Sequence, residues 1–507
     1  MSQFSKYDSE FCGTIPIHII NTTQEYGVLL VLDRHSLIIE QVGENAGAMF
    51  QLPYKTLPGT PVHDVIGALA FRVLQEHLEK GNGKYATTWE INGQRHYTLL
   101  HVKENMVIVE IETHPTEDTE TSFTTLYQSL RTTIQKVESA PDIQQVCTIA
   151  AEELKRISGF DKVMIYAFDY EWNGNVLAEA MEPGMESYLG FTFPASDIPK
   201  PARDMYQKNP YRFIPNREFK PVKLYPVINP ITNTFLDMTE CNLRGVAAVH
   251  VEYLKNMHVM ASMSVRLLKD GALWGLIACH HKTSRHIDNQ LCTVLEFLST
   301  IISARINVLH HQKFLDLSAR LNGLYTQLIE NIYQSKNLVK GLLHEKPSVM
   351  ELFEAQGVVV TYKNKIEKAG EVPNASQLED LVLWLHLKQL RKVFHTDSLS
   401  GVYDMAMDYQ ETASGLLVIP IQSAQDEYLI LFRKEYIRTT SWGGNPEERI
   451  FFDKDPKVYH PRHSFKLWQE HMQGFSKPWL PEEVMAAENL RSFIYELINP
   501  EPLAYQQ

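Results

Sequence analysis

The groups with chemical potential gather between Phe193 and His281. Phe193-Pro194-Ala195-Ser196-Asp197-Ile198-Pro199 sets a carboxylate between two prolines, which fix φ on either side and hold Asp197 in a stiff turn. Arg244, the run His250-Val251-Glu252-Tyr253-Leu254 and Ala278-Cys279-His280-His281 follow. A carboxylate, several imidazoles and guanidiniums thus meet in a segment otherwise rich in Val, Ile, Leu, Met and Tyr. Such groups are costly to bury without partners; a large, conjugated, dianionic ligand would supply them. Arg203, Arg212 and Arg244 are candidate carboxylate partners, because guanidinium offers a planar fork of donors. Most arginines are simply solvated, but Arg244 introduces the largely apolar stretch 245–251.

Other residues read two ways. Tyr166, on an expected strand 162–169, points inward by alternation as either a core tyrosine or a ligand contact. His250, at the start of an expected helix 251–257, is either a core imidazole bonded to a backbone carbonyl or a ligand group. His280 follows a strand, 273–278, that is apolar throughout and so buried on both faces; His281 points the other way. Cys12 sits in a polar leader, an incidental thiol or an accessible nucleophile that adds to an unsaturated ligand. A metal site built from Asp197, His250, His280 and His281 is the competing account. No His-Glu-x-x-His or other metal motif supports it.

The elements that must position these groups suggest three domains in 507 residues. A net charge of −13 argues against nucleic acid or an acidic lipid surface as partner. The polar N-terminus is unlike a secretory signal, and no apolar run approaches the roughly 20 residues that span a bilayer. Five scattered cysteines without Cys-x-x-Cys suggest reduced thiols in a cytoplasmic protein. Residues 28–32 and 37–41 read as strands and 62–78 as a helix entered through Pro61. Residues 85–91, 95–102 and 106–112 read as antiparallel strands around Asn92-Gly93. No site chemistry is visible there. After a polar linker, 114–121, helices are expected at 122–138 and 143–158. From 287 to 343 a nearly proline-free stretch carries a seam through Leu291, Leu295, Leu298, Ile302 and Ile306, then Leu317, Leu321, Leu324 and Leu328. Unbroken, it is a rod of roughly 85 Å, too long for one domain to bury; a bend at Gly323 is the alternative. Strands at 357–362, 415–421 and 427–434 mark the third domain, and a last helix runs from Pro481 to about 498.

Taken in order, Cys12-x-x-x-Pro16-Ile17-His18, the Asp-Ile-Pro turn, His-x-x-Tyr-Leu, Cys-His-His, Trp442-Gly443-Gly444 and Pro461-Arg462-His463-Ser464-Phe465 resemble a bacterial phytochrome over nearly the whole chain. The resemblance implies fold class α+β: a leader 1–26, PAS 27–115, GAF 122–308, PHY 309–480 with a tongue at about 433–472, and a signalling helix 481–507. A long GAF–PHY helix and a figure-of-eight knot at the PAS–GAF junction belong to that picture. It further implies biliverdin, thioether-linked through Cys12, in a pocket of Asp197, Ile198, His250, His280, Tyr166, Tyr206 and Tyr253. Arg212 and Arg244, with Tyr206, Ser262 and Ser264, would hold the propionates. Arg462 would pair with Asp197 in the dark and Ser464 replace it after red light, as Z/E isomerisation turns the tongue from hairpin to helix. A homodimer and a C-terminal output domain, diguanylate cyclase or histidine kinase, are the implied partners, with no nucleic acid or membrane. The chain carries no such enzyme motif, so the output is expected to be truncated away or supplied in trans. It departs from the family at Gln24-Glu25-Tyr26-Gly27 (usually Gln-Pro-His-Gly), Ala247-Ala248 (Ser-Pro) and His258 (glycine).

Two accounts compete with this. One is a non-photochemical ligand sensor or dimeric scaffold binding a nucleotide or haem, disfavoured because no phosphate-binding glycine loop accompanies the pocket. The other is an enzyme, for which no nucleophile–base pair or paired carboxylates appear.

Overall fold

The computed structural model describes residues 17–115, 123–445, 450–452, 459–461 and 465–499; Cys12, Arg462 and Ser464 lie outside them. The chain divides into two compact units, residues 1–309 with 441–468, and residues 310–440 with 469–507.

The first unit begins with a seven-stranded sheet. Its strands are β1 (Thr22–Thr23), β2 (Gly27–Asp33), β3 (Ile39–Gly43), β4 (Gly83–Ile91), β5 (Gln94–Val102) and β6 (Met106–Pro115), joined by a strand from much later in the chain, Val222–Tyr225. The β4–β5 hairpin turns on Asn92 and Gly93 with φ of 51° and 74°, the left-handed pair that a two-residue hairpin loop requires. Six of the seven β2 residues are buried. Val28, Leu30 and Leu32 pack with Trp89 and the helix His63–Leu78. Leu29 and Val31 turn to the other face and join the core of the next domain.

That domain is built on β7 (Lys162–Phe168), β8 (Gly174–Met181), β9 (Thr192–Phe193), β10 (Tyr211–Ile214), β12 (Ala261–Lys269) and β13 (Ala272–His281), in the order β10-β12-β13-β7-β8-β9; Val222–Tyr225 is β11. Alternation gives the sheet two distinct faces. Val163, Ile165, Met263, Val265, Ile277 and Cys279 pack on one side with the helix Ile143–Ser158 and with Leu295, Leu298, Ile302 and Ile306. Asp142 caps the former helix by accepting from Gln145 N, and Gly159 closes it at φ 63°. The other face carries the site below. Trp442 adds in parallel beside Thr192, and a two-stranded ribbon pairs Ile450–Phe452 with Tyr459–Pro461.

The second unit has a five-stranded antiparallel sheet, Lys365–Gly370, Gly357–Tyr362, Glu427–Arg433, Gly415–Gln422 and Phe394–Thr396 in that order. Val358, Val360, Leu417, Ile419, Leu429 and Leu431 face Leu328, Ile332, Leu490 and Ile494; Val359, Leu416, Val418 and Ile430 face the helix Ala375–Lys388.

Two expectations are corrected. The long helix runs unbroken through Gly323 but stops at Ser335, because Lys336 turns left-handed at φ 50°; a separate helix, Leu338–Leu343, follows. Within the same helix, Asn289–Ser335, one 18-residue window reaches mean hydropathy 1.4, long and apolar enough by composition alone to cross a membrane, where the sequence reading found no apolar run of that length. Core packing accounts for part of that apolarity, since Leu295, Leu298, Ile302, Ile306 and Leu309 are buried inside the unit.

Candidate ligand pocket

The polar face of the second sheet follows from register. Ser262 stands opposite His280, which stands opposite Lys162; Arg212 stands opposite Ser264, which stands opposite Ala278; Leu276 stands opposite Tyr166. Paired residues share a face, so these side chains converge. Over them lie the Asp197 turn and the helix Ala248–Asn256. The result is a cavity of about 240 Å³. Asp197, Ile198, His250, His280, Tyr166 and Tyr206 line it, and so do Tyr253, Arg212, Arg244, Ser262 and Ser264. Every described residue that the resemblance placed in the pocket therefore lines it, whereas the candidate Arg203 does not; the thiol of Cys12 and the tongue residues Arg462 and Ser464 are outside the described residues.

Pro194 and Pro199, at φ −66° and −64°, bracket a single 3-10 turn, Ala195–Asp197. Arg203 has a different task from the one expected. Its Nη1 donates to the carbonyls of Ile198 (2.7 Å) and Ala195 (3.4 Å), and its guanidinium lies 4.6 Å from the Trp172 ring centre. It staples the turn rather than offering its fork to a ligand carboxylate. Tyr253 Oη donates to Asp197 Oδ2 at 2.9 Å and sets its ring parallel to His250, 9° apart in plane, with Phe465 edge-on at 5.2 Å. The Tyr166 ring lies over β8, where a Cβ at Gly174 would sit 1.7 Å from it. His281 turns away, accepting at Nδ1 from Thr283 N and approaching Asp161. Among the described residues the metal-type group is elsewhere: His101, Glu110 and Cys241, with donor atoms within 4.8 Å. Glu110 lies 2.6 Å from His101 Nε2 and accepts from Leu243 N at 2.6 Å, so the group joins the first sheet to the loop before Arg244.

Electrostatics single out the arginines. Arg212 Nη2 donates to the carbonyls of Arg244 (2.6 Å) and Gly245 (2.9 Å), and its Nη1 to that of Asn242 (3.3 Å). Arg244 Nη1 donates to the Ile17 carbonyl at 2.8 Å, while its buried Nε has no partner. Neither has a carboxylate partner among the described residues. Burial, reinforced by Arg212, pushes Arg244 down to about 9. Ser196 Oγ and Asn209 Oδ1, on the same lining, are likewise buried without a partner. A packing void is apolar, whereas this one is lined by two guanidiniums and by residues that keep buried donors and acceptors without a bond, as a site for an acidic, polar-edged ligand is. A conjugated dicarboxylate such as a bilin fits that donor set.

Burial lowers both histidines, His250 to about 4 with Arg212 and Arg244 adding, His280 to about 3 with Lys162 and His250 adding. Both imidazoles are neutral at pH 7 in the ligand-free fold. Their folded values lie below the unfolded value of about 6.5, so the unfolded state binds more protons below that pH and stability falls as pH falls. His280, 8% exposed, is expected to cost the ligand-free chain on the order of 1–2 kcal/mol between pH 8 and 5.5. Urea unfolding of His280→Gln should show a pH dependence smaller by that amount; an identical dependence refutes the assignment.

Sequence reading missed Lys162, whose ammonium is 2% exposed, 2.6 Å from the Glu186 carbonyl, 3.4 Å from Glu179 and 3.7 Å from the Tyr188 ring centre. Its only signal was a lysine opening an apolar strand. Ile17, on the cavity wall, was read merely as leader.

Three families match successive parts of the chain: PAS fold at residues 12–114, GAF domain at 142–306 and Phytochrome region at 322–501. Cyanobacterial phytochrome A of Nostoc sp. is 35% identical over 95% of this chain and 64% of its own length; this chain thus spans just under two thirds of that relative. A bacteriophytochrome of Xanthomonas campestris pv. campestris is 31% identical over 96% of this chain and 78% of its own. The crystal structure of a bacteriophytochrome from the photosynthetic bacterium R. palustris superposes with TM-score 0.83 at 30% identity, covering 96% of this chain and 98% of that one.

Proposed function

The chain belongs to the phytochrome family, of which it carries the PAS-GAF-PHY photosensory core, and from that premise we propose that it is a red/far-red light receptor holding biliverdin in the cavity. The observation that carries this reading is the pair of buried guanidiniums, one with an unpartnered Nε, lining a cavity with unsatisfied polar edges. Bound there, the pigment supplies red-light absorption and Z/E isomerisation. Arg212 and Arg244, with Tyr206, Ser262 and Ser264, hold its two propionates. Asp197 and His250 serve its pyrrole nitrogens, Tyr253 orients Asp197 through their hydrogen bond, Tyr166 and Ile198 wall the cavity, and His280 serves the ring carbonyl at the far end. Cys12 is the attachment thiol: its sulfur bonds to a side-chain carbon of the pigment's ring A and its proton passes to the adjacent carbon. Arg462 pairs with Asp197 in the dark, Ser464 replaces it after light, and tongue refolding passes the change to the helices of a homodimer. The output domain, diguanylate cyclase or histidine kinase, is part of a longer cytoplasmic protein.

The leader contacts support the knot as part of this proposal. Met238 N donates to the His18 carbonyl (3.0 Å), Gly245 N to that of Thr22 (2.7 Å) and Gln24 N to that of Leu243 (2.8 Å), while Thr22 and Thr23 pair with Lys223 and Val222.

Addition of biliverdin should give a red absorption band that shifts on red illumination. On a denaturing gel, zinc-dependent fluorescence should follow the chain and vanish in Cys12→Ala. No band at all overturns the receptor reading; covalent pigment retained in Cys12→Ala overturns the attachment site.

A further inference from the structure

Arg244 is tied to the leader directly, and Arg212 only indirectly, through the Arg244 backbone. Arg244 Nη1 holds the Ile17 carbonyl at 2.8 Å, and the Arg244 carbonyl accepts from Arg212 Nη2 (2.6 Å) and Gln24 Nε2 (3.4 Å). Thr23 bridges Arg244 along the backbone, and Gly245 is so close to the leader that a Cβ there would lie 2.4 Å from Thr22 Oγ1. Arg244 is 8% exposed, lines the cavity and keeps a buried Nε without a partner. Guanidinium is a rigid plane, so an anion that takes Nε also fixes the direction of Nη1.

We propose that Arg244 couples carboxylate recognition to leader placement: a ligand carboxylate bonded to Nε secures the existing bond from Nη1 to Ile17 and slows the opening of leader residues 17–24. The inference rests on the cavity taking a dicarboxylate bilin. It makes Arg244 a positioning residue for the leader as well as a ligand contact. An arginine that served the leader alone would have no reason to bury a second donor without a bond beside the cavity it lines, since desolvation without a bond is unfavourable.

The test is hydrogen–deuterium exchange of the leader peptide containing residues 17–24, followed by mass spectrometry on the full chain carrying Cys12→Ser, so that attachment cannot itself order the leader. Biliverdin and biliverdin dimethyl ester are compared at saturation. The diacid should slow exchange about tenfold or more, the scale of one charge-assisted hydrogen bond, and the ester by less than about twofold. Arg244→Gln saturated with biliverdin should behave like the ester complex. Failure of the diacid to give any red band overturns the bilin reading of the cavity. Binding of both pigments with equal protection, or full protection in Arg244→Gln, overturns the Arg244 proposal and leaves the cavity reading standing. Should Arg244→Gln fold poorly, the acid–ester comparison on the Arg244 chain decides alone.

Discussion

Glutamine at Arg212 or at Arg244 is expected to weaken biliverdin binding by about 10–100-fold each, and glutamine at both by about a thousandfold or more. Each guanidinium would lose a charge-assisted bond to a carboxylate in a site shielded from water. The two substitutions differ in side effects. Arg212 also satisfies the carbonyls of Asn242, Arg244 and Gly245, so its loss strips three acceptors inside the loop and should lower the melting temperature. Arg244 gives up one acceptor, that of Ile17. Because Arg212 bonds the Arg244 carbonyl, the effects should not add, with a coupling of about 0.5 kcal/mol or more. Titration of Cys12→Ser chains by absorbance measures this; a double variant that binds within about threefold of its parent sinks the propionate assignment.

Replacing Arg433 by methionine should destabilise the third domain by about 3–5 kcal/mol. Arg433 ends its strand with Nη2 on Glu483 (2.6 Å) and on the Phe353 carbonyl (2.8 Å), Nη1 on the Pro478 carbonyl (2.8 Å), and its plane 3.7 Å from the Trp479 ring centre. Their side chains are 6% and 3% exposed, so neither charge is screened by water. Removing the cation leaves Glu483 buried with Leu480 N as its donor, at 2.9 Å. The penalty is that of an unpaired buried carboxylate, and Glu483→Gln in the same chain should restore part of it. Denaturant unfolding of the single and double variants provides the check. A loss under about 1 kcal/mol for Arg433→Met contradicts the account.

Legibility in the sequence followed the range of the physics. Local chemistry read well: Asn92-Gly93 formed its left-handed turn, Pro194 and Pro199 bracketed Asp197, and the helix Pro481–Ile498 began at its proline and ended within a residue of expectation. The pocket was legible through the family resemblance of its motifs, not through strand pattern: 273–278 read as buried on both faces, whereas the structure turns Ile277 and Cys279 to one core and Ala278 and His280 to the cavity. Partners chosen only in the folded chain were not legible, even at short range. Arg203 resembled its neighbours until its fork was seen to reach back to the turn that precedes it. Lys336 carried no breaking signal, since a left-handed lysine is chosen by the packing around it. The strand Lys365–Gly370 was missed because its exposed, charged residues show no alternation, and it is held by hydrogen bonds to Gly357–Tyr362. Glu110 lay in a strand read as free of chemistry, because its partners arrive from residues 242 and 243.

The place of β11 between β1 and β3 has a consequence for synthesis. Leu224 and Tyr225 cover the edge of β3 at Gly43 and Val42, yet they are translated long after Pro115 has closed the hairpins of the first domain. Roughly a hundred residues must emerge in between, about 5–20 s at ordinary ribosome speed, during which the nascent sheet shows an unpaired border. Any N-terminal fragment cut before Val222 keeps that border permanently, and aggregation rather than an autonomous first domain is the outcome to anticipate from it.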